Sequence, residues 1–157
     1  MRRLTAVFAT VFFILICLAG AFRFGGTLRA APLIRTVRAA DYPEAFGSIR
    51  ELLASGSAIQ ALSGDAVSED PAGYTLVDIT VELTNRGLFS AEWLDISTRG
   101  APGDIAVYAV TGEGSDIPAR SRGQVNLKLI TTARADVSRD VIIQYYVHGM
   151  KRTITVR

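Results

Sequence analysis

The sequence contains very little of the chemistry on which most enzymes depend. Its 157 residues include one cysteine, Cys17, and one histidine, His148. A catalytic triad or histidine-based metal site needs a histidine that its neighbours hold in place, and no HExxH, P-loop or GxGxxG pattern occurs. His148 precedes a glycine between two strand-like segments, so we interpret it as a turn residue that tolerates an unusual backbone conformation. We therefore predict a protein that is not an enzyme and needs no cofactor.

Because the sequence has one cysteine, disulfide bonds cannot be used to infer its cellular compartment. Cys17 lies in an apolar run, where we interpret it as a small lipid-facing residue. Residues 41–157 contain no cysteine, so disulfides neither support nor oppose an oxidising compartment.

Charge is missing from a long segment near the start of the sequence. Residues 4–22 are nineteen consecutive uncharged residues, rich in Val, Phe, Ile and Leu. A membrane-spanning helix needs about 20 apolar residues, whereas the apolar part of a signal peptide has about 7–15. We therefore predict that residues 1–22 are a single-pass anchor in the cell membrane. A small-residue cleavage site at Ala19-Gly20-Ala21 keeps a cleaved signal peptide open as the alternative.

The charges that are present are segregated along the chain. Two arginines precede the apolar run and four lie in residues 23–38, which is the wrong way round for an exported C-terminal part. Long domains translocate largely regardless of charge, so we still predict an extracytoplasmic domain. Residues 23–40 contain glycines, a proline and no steady period, and we interpret them as a basic juxtamembrane linker. Residues 41–157 carry 11 basic and 15 acidic residues, a net charge of −4 that argues against nucleic acid as a partner.

Residues 41–56, DYPEAFGSIRELLASG, have the pattern of a short amphipathic helix over 43–54. Asp41 and Glu44 form a possible capping box, and Gly56 can end the helix. One apolar stripe recurs at helical spacing, formed by Phe46, Ile49, Leu52 and Leu53. Three turns are too few to be stable alone in water. The stripe must therefore dock, by default on the domain itself, alternatively on another protein.

After residue 56 the hydrophobic period changes from that of a helix to that of a strand. In residues 74–85, four apolar positions alternate with polar ones, and the Asn85-Arg86-Gly87 that follows is suited to a turn. Further strands are predicted at SAIQAL, in residues 57–62, and at 92–98, 104–111, 123–131 and the two segments around His148-Gly149. The alternating positions predicted to line the core are Val77, Ile79, Val81 and Leu83.

The two-residue connection His148-Gly149 predicts a tight hairpin and its register. With that turn Val147 faces Met150 and Ile143 faces Ile154, while Asp140 faces Arg157. A slip of one residue would move every apolar side chain to the opposite face, so the register is well specified. Six or seven short strands with regular turns predict a mainly β, antiparallel sandwich.

Within this pattern, the stretch LVDITVELTNRG, residues 76–87, resembles the strand and turn of bacterial immunoglobulin-like domains, in which an alternating Val/Thr strand ends in Asn-x-Gly. The resemblance implies an immunoglobulin-like sandwich and names no ligand. The antibody-type arrangement of two cysteines around a tryptophan is missing, since Trp93 is the only tryptophan.

Few residues suggest a binding surface. Trp93 and Tyr146 fall on polar strand faces, where exposed aromatics can contact proteins or sugars. Because tryptophan is highly buried on average, packing of Trp93 at the end of the core is the alternative. Asp65, Glu69 and Asp70 lie together in a loop, but their spacing matches no calcium-binding loop and no metal site is assigned. The predicted function is a non-catalytic, membrane-anchored, extracytoplasmic β-sandwich module that binds a protein in the cell envelope. The predicted contact residues are Trp93, Tyr146, Phe46, Ile49 and Leu53. The alternative is a cell-wall or carbohydrate-binding module that uses exposed aromatics.

Overall fold

Two antiparallel β-sheets lie face to face and enclose most of the apolar side chains. The computed structural model describes residues 2–24, 28–132 and 137–157, with side chains from residue 7 to 20 in the first range. The helices are α1 (Arg2–Phe24) and α2 (Pro43–Ala54). The described strands are β1 (Leu28–Arg38), β2 (Gln60–Ala61), β3 (Thr75–Asn85), β4 (Glu92–Arg99), β5 (Asp104–Thr111), β6 (Arg122–Thr131), β7 (Asp140–Val147) and β8 (Met150–Val156).

The strands divide unequally between the two sheets. The larger sheet has the order β1-β3-β6-β5-β2, and the smaller one has the order β4-β7-β8. Each strand pair in both sheets is antiparallel. The predicted antiparallel sandwich is therefore confirmed, with eight strands among the described residues instead of six or seven.

The core lies between the sheets and is centred on β3. Its four alternating residues, Val77, Ile79, Val81 and Leu83, are all buried, as predicted. Because successive side chains of a strand point to opposite faces, this alternation places one whole face of β3 against the smaller sheet. The smaller sheet contributes six buried residues to the same core: Leu94, Ile96, Val141, Ile143, Tyr145 and Val147.

The predicted linker over residues 23–40 is wrong for residues 28–38, which form β1 at the edge of the larger sheet. β1 pairs along its whole length with β3, from Leu28 opposite Asn85 to Arg38 opposite Thr75. An edge strand tolerates Pro32, because an edge position can lack an N–H without losing a ladder bond. Its apolar alternation is weak since most of the strand is solvent-exposed. Gly25 and Gly26 of the predicted linker lie outside the described residues.

The predicted helix over 43–54 is confirmed by α2, but its predicted capping box is wrong. The N-cap residue is Tyr42, without a side-chain cap, and the Asp41 carboxylate instead accepts hydrogen bonds from Arg38 at 3.2 and 3.3 Å. At the other end Gly56 has φ +72°. Its N–H donates to the Leu53 carbonyl and the next N–H donates to the Leu52 carbonyl, both at 3.0 Å. This paired pattern is a Schellman motif, which needs glycine at the left-handed position.

The β7–β8 hairpin has the predicted register at every pair from Val141–Val156 to Val147–Met150. His148 and Gly149 have φ of +50° and +72°. Positive φ at both central residues is the mark of a type I′ turn, whose twist suits a tight hairpin. The interpretation of His148 as a turn residue is confirmed.

The predicted membrane anchor coincides with α1, whose described side chains from residue 7 to 19 are all exposed. Among the described residues, however, no helix combines the length and the apolarity needed to cross a membrane. The anchor therefore stays a prediction.

Candidate functional site

Two of the predicted contact residues are buried inside the domain. Phe46 and Ile49 of α2 are 3% and 8% exposed, and they pack with Leu76 and Ile130 on the outer face of the larger sheet. Leu53 is half-buried against the same cluster. The prediction that Phe46 and Ile49 form a partner surface is therefore wrong, because α2 covers the sheet of its own domain.

Trp93 is the most conspicuous residue on the described surface of the sandwich. Its side chain is 70% exposed and its φ is +52°. The register between β4 and β7 shifts between Glu92 and Asp95, so Trp93 lies in a β-bulge. A bulky residue with positive φ is a genuine outlier, since the left-handed conformation brings its Cβ close to the following carbonyl. Backbone strain of this kind is concentrated at functional sites.

Neighbouring segments hold the bulge in place. The Trp93 N–H donates to Asp116 Oδ1 at 2.9 Å, and the Leu94 N–H donates to the Ser115 carbonyl at 3.2 Å. Ala91 and Ile117 exchange both of their backbone hydrogen bonds, at 2.9 and 2.7 Å. The chain around Trp93 is therefore held by residues 114–117 as well as by β7, so the indole projects from a fixed backbone.

Tyr146 lies one strand away from this bulge. It is 37% exposed and stands directly opposite Glu92, the residue before Trp93. Leu88, in the loop that leads to β4, is also exposed. The two aromatics predicted as a contact surface thus share the smaller sheet. We call Trp93 and Tyr146 the bulge surface.

The acidic loop that the sequence singled out is engaged in local contacts. Glu69 Oε1 lies 3.0 Å from Arg50 Nη1, and Asp70 Oδ1 accepts a hydrogen bond from the Ala72 N–H at 2.9 Å. In the described part of the chain no three Asp, Glu, His or Cys residues are grouped so that they could hold a metal ion.

The sequence did not indicate a charged row on the outer face of the larger sheet. The register places Arg35 of β1 opposite Asp78 of β3, and Asp78 opposite Lys128 of β6. Lys128 Nζ lies 3.7 Å from Asp78 Oδ2. Burial raises the pKa of the neighbouring Tyr108, and the negative charge of Asp78 raises this pKa further. These four residues line a cavity of about 470 Å³ beside α2.

The second feature that the sequence did not reveal is a fully buried ion pair. Arg139 Nη2 donates to Asp104 Oδ1 at 2.8 Å, and Arg139 Nε lies within 3.1 Å of both carboxylate oxygens. The Ala101 N–H donates to Asp104 Oδ2 at 2.8 Å, and Arg139 Nη1 donates to the Val137 carbonyl at 3.0 Å. Asp104 begins β5 and Arg139 precedes β7, so this pair joins the two sheets. Its hydrogen bonds satisfy both charges, as a buried pair requires.

No protein-family model matches the chain, and no curated protein sequence does. Among solved structures the chain is similar to an uncharacterized β-sandwich protein from Clostridium difficile 630. The identity is 9%, the match covers 83% of this chain and 85% of that chain, and the TM-score is 0.31. A similarity this low carries no information about what the chain binds.

Proposed function

We propose that the chain is a non-catalytic module of the cell envelope, with a β-sandwich of immunoglobulin-like type outside the cytoplasm. Residues 4–22 attach it to the membrane. The sandwich binds a protein partner through the bulge surface and acts as an accessory subunit of an envelope complex. The observation that carries this proposal is Trp93, a tryptophan that is 70% exposed on a strained but hydrogen-bonded backbone.

An exposed tryptophan of this kind is unusual. Trp is highly buried on average in folded proteins, and at interfaces it is among the residues whose truncation weakens binding most. A bulge re-aims a side chain, and bulges are common at sheet edges and next to binding sites. Because the backbone at Trp93 is held by Asp116, little backbone freedom has to be lost when the indole enters a pocket of a partner.

The membrane part of the proposal is supported by the apolar surface of α1. Phe8, Phe12 and Phe13 are each exposed by more than 60% of their surface, and the aliphatic residues between them are exposed too. A contiguous apolar surface of this extent marks an interaction with a membrane or another protein. Residues 4–22 carry no charge that would oppose insertion into lipid.

Co-purification from detergent-solubilised membranes tests the partner. We expect specific partners to be recovered with the natural chain and lost with Trp93→Ala. The matched control is Ile59→Ala, which removes an exposed apolar side chain elsewhere on the domain. Equal loss in both variants, or no loss in either, would contradict a partner site at the bulge surface.

A fusion test addresses the topology. A reporter that is active only in the cytoplasm, fused after Arg157, should remain silent if the domain is exported. A strong cytoplasmic signal would refute the extracytoplasmic location and support the orientation that the arginine count favours.

The presence of both exposed aromatics on one sheet also favours a second function, binding of a cell-wall polysaccharide. Aromatic rings on a β-sheet surface can stack on sugar rings. Retention on purified cell-wall material that is lost in both Trp93→Ala and Tyr146→Ala, without any protein partner, would support the carbohydrate function over protein binding.

A further inference from the structure

The cavity between α2 and the outer face of the larger sheet has the size of a small-molecule site. Its volume is about 470 Å³, and ligand pockets typically measure about 300–1,000 Å³. β1, β3, β5 and β6 supply its floor, and α2 forms one wall. The cavity is therefore built by five separate elements, and none of its lining residues belongs to the bulge surface.

The polar part of the lining contains groups of both charges with incomplete partners. Asp78 Oδ1 is buried and has no hydrogen-bond partner among the described residues. The other oxygen of the same carboxylate is only loosely paired, at 3.7 Å from Lys128 Nζ. Arg35, the cross-strand neighbour of Asp78, has no ion-pair partner in the described part of the chain. Oδ1 is closed to solvent, but the Asp78 side chain as a whole is 41% exposed, so Oδ2 is the carboxylate oxygen that a donor in the cavity can reach.

The rest of the lining is apolar. Val37, Ala45, Ile49 and Leu76 line the same cavity as the charged row. Such a combination, an apolar wall with a few convergent polar groups, is typical of sites that orient a small ligand.

We propose that this cavity binds a small zwitterion, a dipeptide with an apolar side chain. Its ammonium group donates to Asp78, its carboxylate accepts from Arg35, and its side chain lies against Ile49 and Leu76. Directly opposed side chains on neighbouring strands are about 5 Å apart, so one ligand with opposite charges at close range can contact both residues. A ligand with only a negative charge would be repelled by Asp78, and a ligand with only a positive charge would be repelled by Arg35 and Lys128.

Calorimetry with three related probes tests the ligand class on the full chain in detergent. L-leucyl-L-leucine carries both charges, its N-acetyl derivative lacks the ammonium group, and its amide lacks the carboxylate. We expect saturable binding of the parent dipeptide and at least about tenfold weaker binding of each derivative, because hydrogen bonds to charged groups are the strong ones. No binding of the parent at millimolar concentration, or equal binding of all three probes, would overturn the proposal.

Paired variants then test the assigned residues. Asp78→Asn should weaken the parent dipeptide and leave the N-acetyl derivative unchanged, whereas Arg35→Gln should weaken the parent and leave the amide unchanged. Glu82→Gln is the matched control, since Glu82 lies on the same face of β3 but outside the cavity. Unchanged dipeptide binding in Asp78→Asn, or equal weakening in Glu82→Gln, would overturn the assignment. If Asp78→Asn does not fold, Arg35→Gln at the exposed sheet edge decides the question with the three probes.

Discussion

The strained backbone at Trp93 leads to a prediction about stability that does not depend on a partner. We expect Trp93→Gly to be more stable than Trp93→Ala. Both variants lack the indole, so its contacts drop out of the comparison and only the backbone differs. Alanine keeps the unfavourable left-handed conformation that φ of +52° imposes, whereas glycine adopts it without a steric penalty.

The expected magnitude follows from two opposing terms. A non-glycine residue in the left-handed conformation costs about 1–2 kcal/mol. Glycine in place of alanine loses about 0.5–1 kcal/mol through the greater freedom of the unfolded chain. The difference leaves Trp93→Gly more stable than Trp93→Ala by about 0–1.5 kcal/mol, with a midpoint of about 0.75 kcal/mol.

Urea unfolding of the full chain in detergent measures this difference, with Thr153 as the control position. Thr153 is exposed in the regular ladder of β8, opposite Gln144. There glycine should be less stable than alanine by about 0.5–1 kcal/mol, because no strain is relieved. The two positions should therefore show opposite signs. The same sign at both positions would refute the strained conformation of Trp93.

Three further perturbations follow from the described contacts. Asp104→Asn should lower the free energy of unfolding, measured in urea, by about 3–5 kcal/mol, because it leaves the Arg139 charge buried without a counter-charge. A decrease of less than about 1 kcal/mol would contradict the buried ion pair. Ile49→Asp should lower the melting temperature strongly, since it buries an unpaired carboxylate under α2, and an unchanged melting temperature would mean that α2 is not docked. The hydrogen bond from Arg157 Nε, 2.6 Å from Asp140 Oδ1, lowers the pKa of Asp140. The stability that this contact contributes is therefore complete above the pKa of Asp140 in the unfolded chain, and it is lost as the pH falls through the pKa in the folded chain. The free energy of unfolding should differ less between pH 3 and pH 6 in Asp140→Asn than in the natural chain.

Local sequence patterns were sufficient wherever the partners of a residue are close along the chain. The β7–β8 hairpin has the register that His148-Gly149 predicts, because a two-residue turn fixes which residues face each other. The limits of α2 were predictable for the same reason, since Pro43 begins the helix and Gly56 follows its last turn. The buried face of β3 followed from its alternation, because only one face of the strand is apolar along its length.

Local patterns failed where an element that is distant in sequence determines the conformation or the burial of a residue. β1 carries arginines and a proline and has no clear alternation, so its strand conformation depends on pairing with β3, more than 35 residues away in sequence. Asn85 was predictable as a turn residue, but not as a buried one whose Nδ2 contacts the carbonyls of Phe89, Ile117 and Pro118 at 2.8–3.1 Å.

The sequence by itself therefore determined the alternation of β3, the hairpin register and the short helix, because each depends on backbone preferences and hydrophobic periodicity within a few residues. The hairpin register already pairs Asp140 with Arg157, but only the tertiary structure decided which charges from distant parts of the chain meet. Asp104 and Arg139 are 35 residues apart, and Arg35, Asp78 and Lys128 come from three strands. Long-range strand pairing brings these residues together, and that pairing cannot be predicted from the spacing of charged residues along the chain. The exposure of Trp93 was likewise decided by a bulge that residues 114–117 hold in place.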